Sequence, residues 1–100
     1  MIPRGCTPTN EFTVTEDYTS ATKCYITYQQ NGRTVLEKDI DDCTITATKI
    51  STTLTQEETL RFMEEKPVEI QIRIKLDDGS VHKSEVIKTT TDKLLKEGAI

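Results

Sequence analysis

The sequence predicts an all-β protein, an immunoglobulin-like antiparallel β-sandwich of about seven strands, and three observations lead there. Residues 68–76 read VEIQIRIKL, with Val68, Ile70, Ile72, Ile74 and Leu76 alternating strictly with Glu69, Gln71, Arg73 and Lys75. That is the period of a half-buried strand. Asp77-Asp78-Gly79 follows and leads into residues 81–88, so the two segments form a hairpin in a sheet with one wet face. Upstream, short runs rich in Thr, Val and Ile recur with turn residues between them, the pattern of a Greek-key sandwich. The chain has no Trp, so the likeness to antibody domains is architectural and does not extend to their Cys and Trp core.

Taken in order, residues 1–10 contain Pro3, Gly5 and Pro8 and predict an extended arm. Phe12 and Val14, between Glu11, Thr13 and Thr15, give a short first strand. In the second strand, residues 23–29, Cys24, Ile26 and Tyr28 share one face. Asn31-Gly32 is a strong hairpin signal, but a strict two-residue loop would oppose Ile26 to Glu37. A three-residue loop, Gln30-Asn31-Gly32, opposes Ile26 to Leu36 and matches like with like, which predicts a third strand over 33–39. Residues 43–47 and 49–54 form a fourth and a fifth strand. Thr55-Gln56-Glu57-Glu58 is a capping box that opens one or two helical turns to about Phe62, with Leu60 and Phe62 as the inward candidates. At Asp77-Asp78-Gly79 a three-residue loop opposes Ile74, Ile72 and Ile70 to His82, Ser84 and Val86. The shorter loop would bury Lys83 and Glu85 without partners, at a cost of several kcal/mol. Thr91 or Asp92 caps a short C-terminal helix through Glu97, ended by Gly98. The organisation expected is an arm (1–10), a sandwich domain (11–90) and a helical tail (91–100).

One hundred residues suit one two-layer core without metal or disulfide staples. A net charge of −4, with thirteen basic residues scattered among seventeen acidic ones, and a pI near 5.0 argue against a nucleic-acid partner. No apolar run approaches the roughly 20 residues that cross a bilayer, and the first residues lack the apolar stretch of a signal peptide. The expectation is a chain that contacts no membrane and is not conventionally secreted. Cys6, Cys24 and Cys43 are odd in number and widely spaced, which fits neither a disulfide framework nor a Cys-x-x-Cys metal site. Cys24 and Cys43 fall in phase with strand apolars and act as small buried hydrophobes, and Cys6 in the arm is the exception.

His82 is the only histidine, and neither a catalytic triad nor a zinc site can be assembled around it from the sequence. In the preferred register it covers the edge of the core opposite Ile74. The pairs Asp41-Asp42 and Asp77-Asp78 lack the alternating oxygen ligands of a calcium loop and act as turn formers. No catalytic, cofactor-binding or metal residue is assigned, and no cofactor is expected. What remains are sheet edges and the two ends. The arm carries Arg4 as its only charged side chain, and Leu94, Leu95, Ala99 and Ile100 crowd the other end with apolar surface. Ile2, Pro3, Arg4, Thr7, Pro8, Leu95 and Ile100 are therefore the expected partner contacts.

The stretches RGCTPTNEFTV, YITYQQNGRTVLEK, KISTTLTQEETLRF and VEIQIRIKLDDGSVHKSEVIKTTTDKLLKEGAI resemble small prophage proteins encoded among virion structural genes in gut Firmicutes, over nearly the whole chain. In its arm, first strand and following hairpin the chain is also similar to the immunoglobulin-like N-terminal domain of phage baseplate upper proteins. The resemblance implies a non-enzymatic virion component, made in the bacterial host cytoplasm, that binds other virion proteins or copies of itself. Tail or baseplate is the first place it implies and capsid decoration the second, since the fold does not choose between them. The rival expectation is a carbohydrate- or receptor-binding module on the virion surface, with Tyr18 and Tyr25 as the aromatic platforms.

Overall fold

The computed structural model describes all residues, Met1–Ile100. Eight short strands form two antiparallel sheets: β1 (Thr9–Thr13), β2 (Ala21–Gln30), β3 (Arg33–Lys38), β4 (Cys43–Ile45), β5 (Lys49–Thr53), β6 (Pro67–Leu76), β7 (Val81–Lys83) and β8 (Ile87–Thr90). One sheet has the order β1-β5-β4, and the other β3-β2-β6-β7, with β8 also on β6. The inward residues of β2 and β6, namely Cys24, Ile26, Tyr28, Val68, Ile70, Ile72 and Ile74, meet Ile50 and Leu54 from the first sheet in one core. That is where alternate apolar residues must point if each sheet is to have one dry face.

The β2–β3 hairpin differs from the sequence expectation, and the reason is physical. Asn31 and Gly32 both take positive φ, 54° and 75°, the mirror-image turn that a two-residue loop requires. Gln30 therefore opposes Arg33. The clash of faces expected from so tight a loop is relieved by a register shift beyond Gln29, which leaves Val35 as an extra residue and sets Tyr28 opposite Leu36 and Ile26 opposite Lys38. A bulge solves what the three-residue loop was meant to solve.

At the second hairpin the predicted opposition of Ile74 to His82 is found, with Gly79 at φ +89° closing the three-residue loop. Beyond Ser84 the single expected strand splits, and Ile70 pairs with Ile87 rather than Val86. The Ser84 backbone N–H still donates to the Ile72 carbonyl (2.8 Å), and its Oγ accepts from the Ile72 N–H (3.0 Å). Gln71 Nε2 caps the Ser84 carbonyl at 3.1 Å. One hydroxyl thus fills the ladder position that the bulge vacates, and the outcome is eight strands instead of seven.

Between the sheets, Thr55 and Glu58 form the predicted capping box of α1 (Gln56–Leu60). Thr59 and Phe62 are the buried residues there and Leu60 is only half-buried. Both acidic pairs sit in turns as expected. The Asp39 side chain accepts from the Asp41 N–H over a 3-10 turn, Ile40–Asp42, and Asp78 Oδ1 accepts from the Ser80 N–H at 2.8 Å. The expected C-terminal helix does not form: beyond Thr91 the chain has no regular structure. Both candidate caps are engaged with distant segments instead of the tail's own N–H groups: Thr91 Oγ1 accepts from the Lys66 N–H at 3.2 Å and Asp92 Oδ1 from the Arg4 backbone N–H at 2.9 Å.

Candidate functional site

The alternation of ladder bonds decides which backbone groups of the edge strands are free. In β1 the flanking pairs are bonded, Leu54 N–H to the Pro8 carbonyl and Val14 N–H to the Thr48 carbonyl, each 2.9 Å. The even residues therefore face β5, and Thr9, Glu11 and Thr13 point their N–H and C=O groups outward. On β7 the bonds Leu76 N–H to Ser80 and Ser84 N–H to Ile72 leave Val81 and Lys83 outward by the same rule. On β8 the Thr91 N–H bond to Lys66 leaves Lys88 and Thr90 outward, and the Thr90 carbonyl is taken by the Ile2 N–H at 2.8 Å.

The β1 and β7 edges lie on the same flank of the molecule, in different sheets, with a groove of about 520 Å³ between them. Ile50, Ile72 and Ile74 line its floor, Thr13, Val14, Thr15 and Tyr18 one wall, and His82, Lys83, Ser84 and Glu85 the other. The Tyr18 and His82 rings meet edge-on at 5.6 Å, and His82 Nδ1 lies 3.5 Å from Glu16 Oε2. Burial and the Glu16 carboxylate push the Tyr18 phenol above its ordinary value. The two walls differ in charge. The β1 side carries Glu11, Glu16 and Asp17, all exposed, and the β7–β8 side carries Lys83, Glu85 and Lys88.

The residues expected from the sequence to contact partners gather at the opposite end, and several of them are engaged within the chain. Ile2 is buried in the core and forms a parallel bridge with Thr91. Pro3 is half-buried. Arg4 donates through Nε to the Phe62 carbonyl (2.8 Å) and through a terminal nitrogen to Glu97 (2.9 Å), which locks the arm to the tail. Pro8 is half-buried and extends the β1 ladder, and Thr7 is exposed. Leu95 and Ile100 are 89% and 94% exposed, although the Ile100 backbone pairs with the Gln56 amide at 2.8 and 3.1 Å.

Cys24 is buried, Cys43 half-buried and Cys6 exposed. A hydrogen bond with the Cys43 thiol, together with burial, pushes the Cys24 thiol far above the ordinary range, so it stays protonated and packs as a small hydrophobe. Cys43 Sγ donates to the Asp39 carbonyl at 3.1 Å. No grouping of three or more His, Cys, Asp or Glu side chains is placed to share a metal ion, and no helix is long and apolar enough to cross a membrane.

Sequence reasoning missed the flank because its residues are far apart in the chain and individually ordinary. The available signal was the pair of strands with lysines at their outer positions, Lys83 and Lys88, which marks a solvent edge. Compared with protein-family models, with curated proteins and with solved structures, the chain matches none of them.

Proposed function

We propose that the protein is a non-enzymatic structural component of a phage virion, built on an immunoglobulin-like sandwich and acting through contacts with other virion proteins. The strand orders support the fold part of this reading. β1-β5-β4 corresponds to strands B-E-D of that family and β3-β2-β6-β7 to C′-C-F-G. The parallel bridge between Ile2 and Thr91 stands where a first strand would run beside strand G, and the turn at Pro3 and Cys6 then reverses the chain into β1. Within residues 1–100 the arm contributes a single bridge at that position. The unpaired edges of β1 and β7, with a groove of apolar floor between them, are the observation that carries the functional part, because exposed edges are surfaces for strand addition. The sequence resemblance to prophage virion proteins supplies the setting, tail or baseplate ahead of capsid decoration.

Quantitative mass spectrometry of purified phage particles tests this. Hundreds of copies per particle would assign the protein to a capsid or tail tube, and a few to a few dozen to a baseplate, neck or tail tip. Absence from particles would overturn the reading.

A second reading, recognition of host-surface carbohydrate, is favoured by one observation. Tyr25 is 41% exposed on the outer face of β2 and lines a shallow depression of about 150 Å³ with Lys23, Arg73 and Lys75, a ring of donors around an aromatic face. Under this reading, binding to cell-wall polysaccharide in a pull-down is lost in Tyr25→Ala with the circular dichroism spectrum unchanged. Binding that survives the substitution would remove Tyr25 from the site.

A further inference from the structure

We propose that the open flank is closed by a second copy of this chain, related by a two-fold axis parallel to the strands, so that β1 of each copy pairs antiparallel with β7 of the other. This names the partner of the flank and rests on the assembly reading above.

The geometry follows from strand directions and layers. β1 runs from the end of the molecule that holds α1 toward the opposite end, since Thr9 pairs with Thr53 and Thr13 with Lys49. β6 starts at the α1 end and β7 is antiparallel to it, so β7 runs back toward α1, against β1. A two-fold axis along the strands keeps these directions and exchanges the two layers. The three-stranded sheet of one copy then continues into the larger sheet of the other, on both sides of the axis. The outward N–H and C=O groups of Thr13 and Glu11 then face those of Val81 and Lys83, and the groove with its apolar floor is covered.

Charge selects this pairing among the alternatives. Two β1 edges would bring Glu11 against Glu11, and two β7–β8 edges would bring Lys83 and Lys88 against their own kind. Only the crossed arrangement sets Glu11 and Asp17 of one copy against the wall that carries Lys83 and Lys88, while Glu16 stays beside His82 of its own chain. Glu85 on the basic wall reduces that complementarity without reversing it. The intrachain pair of Glu11 with Lys49, at 3.5 Å and more than half exposed on both sides, does not tie Glu11 down.

Sedimentation equilibrium of the full chain should give a concentration-dependent monomer–dimer equilibrium. Lys83→Glu and Glu11→Lys should each weaken the dimer by about tenfold or more, because a two-fold interface contains every reversal twice. An equimolar mixture of the two variants should recover the dimer, since both crossed pairs then unite opposite charges. Thr13→Pro removes an outward N–H while sparing the bonds to β5, and should weaken association with the circular dichroism spectrum unchanged. A chain that stays monomeric up to its solubility limit would overturn the proposal. A dimer indifferent to the charge reversals, or one not recovered on mixing, would overturn it equally. A monomer that is still found in particles would sink the second-copy inference alone, and a flank dimer absent from particles would sink the virion reading alone.

Discussion

Replacing Tyr28 by Ala should remove about 3–5 kcal/mol of folding stability. The side chain is fully buried, on the central strand of the larger sheet, opposite Leu36 on one side and Ile70 on the other. Its ring meets Phe62 edge-on at 5.9 Å, a contact of about 1 kcal/mol beyond area burial. Its hydroxyl accepts from Asn10 Nδ2 at 2.7 Å, so one residue joins β2, the β1 strand and the segment after α1. Truncation opens a cavity where three elements meet, and neither β1 nor β2 can collapse into it without breaking its own ladder. Tyr28→Phe is the control. It keeps the ring and loses only the hydroxyl, at a cost of about 1 kcal/mol. Urea unfolding followed by far-ultraviolet circular dichroism measures both, since the chain has no Trp to report by fluorescence. A loss below about 1 kcal/mol for Tyr28→Ala would contradict this packing.

The same residue predicts an alkaline limit. Burial pushes the Tyr28 phenol up to about 12 from an ordinary 10.0. An acid raised in the folded state contributes stability that is fully present below the unfolded value and is lost as pH rises from about 10 through 12. The stability difference between wild type and Tyr28→Phe should therefore shift against wild type across that window.

The long β6 strand, its three-residue turn, the capping box of α1 and the mostly buried face of β2 were legible because each is a local pattern whose period or turn chemistry has one good solution. The β2–β3 register was not. Asn31-Gly32 favours the tight turn on its own, the side-chain pattern favours a looser one, and the conflict is settled by a bulge at Val35 that no local signal announces. The break in the strand after Lys83 depends on Gln71 and Ser84 satisfying the freed backbone groups, a long-range arrangement. The caps of the tail predict a helix, yet Arg4, far away in sequence, holds Asp92 through its backbone N–H and Glu97 through its guanidinium. A residue's capping preference is a weak prior when long-range bonds engage the same carboxylates.

The candidate site was less legible than the fold. The arm and tail are the extended and apolar ends that the sequence offers for contact, but Ile2 and Arg4 are occupied by their own chain. Residues that remain open, Thr13, Lys83 and Lys88 at the strand edges, are ordinary one at a time. An edge becomes visible only when sheet order is known, and sheet order is a property of the whole chain.

The bulge at Val35 has an energetic consequence that gives the second large effect: it turns Lys38 inward, opposite Ile26. A lysine only 8% exposed must have a partner, and Glu58 supplies it, with both carboxylate oxygens within 2.9 Å of Nζ. Burial tends to raise the Glu58 carboxyl, but the Lys38 hydrogen bond and the Thr55 N–H outweigh it and hold it below its ordinary 4.5. The helix cap and the ion pair therefore share one carboxylate, and Lys38→Ala should cost about 2–3 kcal/mol at neutral pH by leaving Glu58 partly buried without its counter-charge. Because the folded value is depressed, this contribution is present above about 4.5 and lost as pH falls through the lower folded value. The gap between wild type and Lys38→Ala should accordingly narrow in acid. Lys38→Met combined with Glu58→Gln should cost less than Lys38→Ala, because removing both charges removes the desolvation penalty, and the side-chain amide introduced by Glu58→Gln can still accept from the Thr55 N–H. If the double variant were the less stable of the two, attraction within the pair would outweigh the cost of burying it, and the pair would be a net source of stability instead of a constraint that fixes where α1 docks on β3.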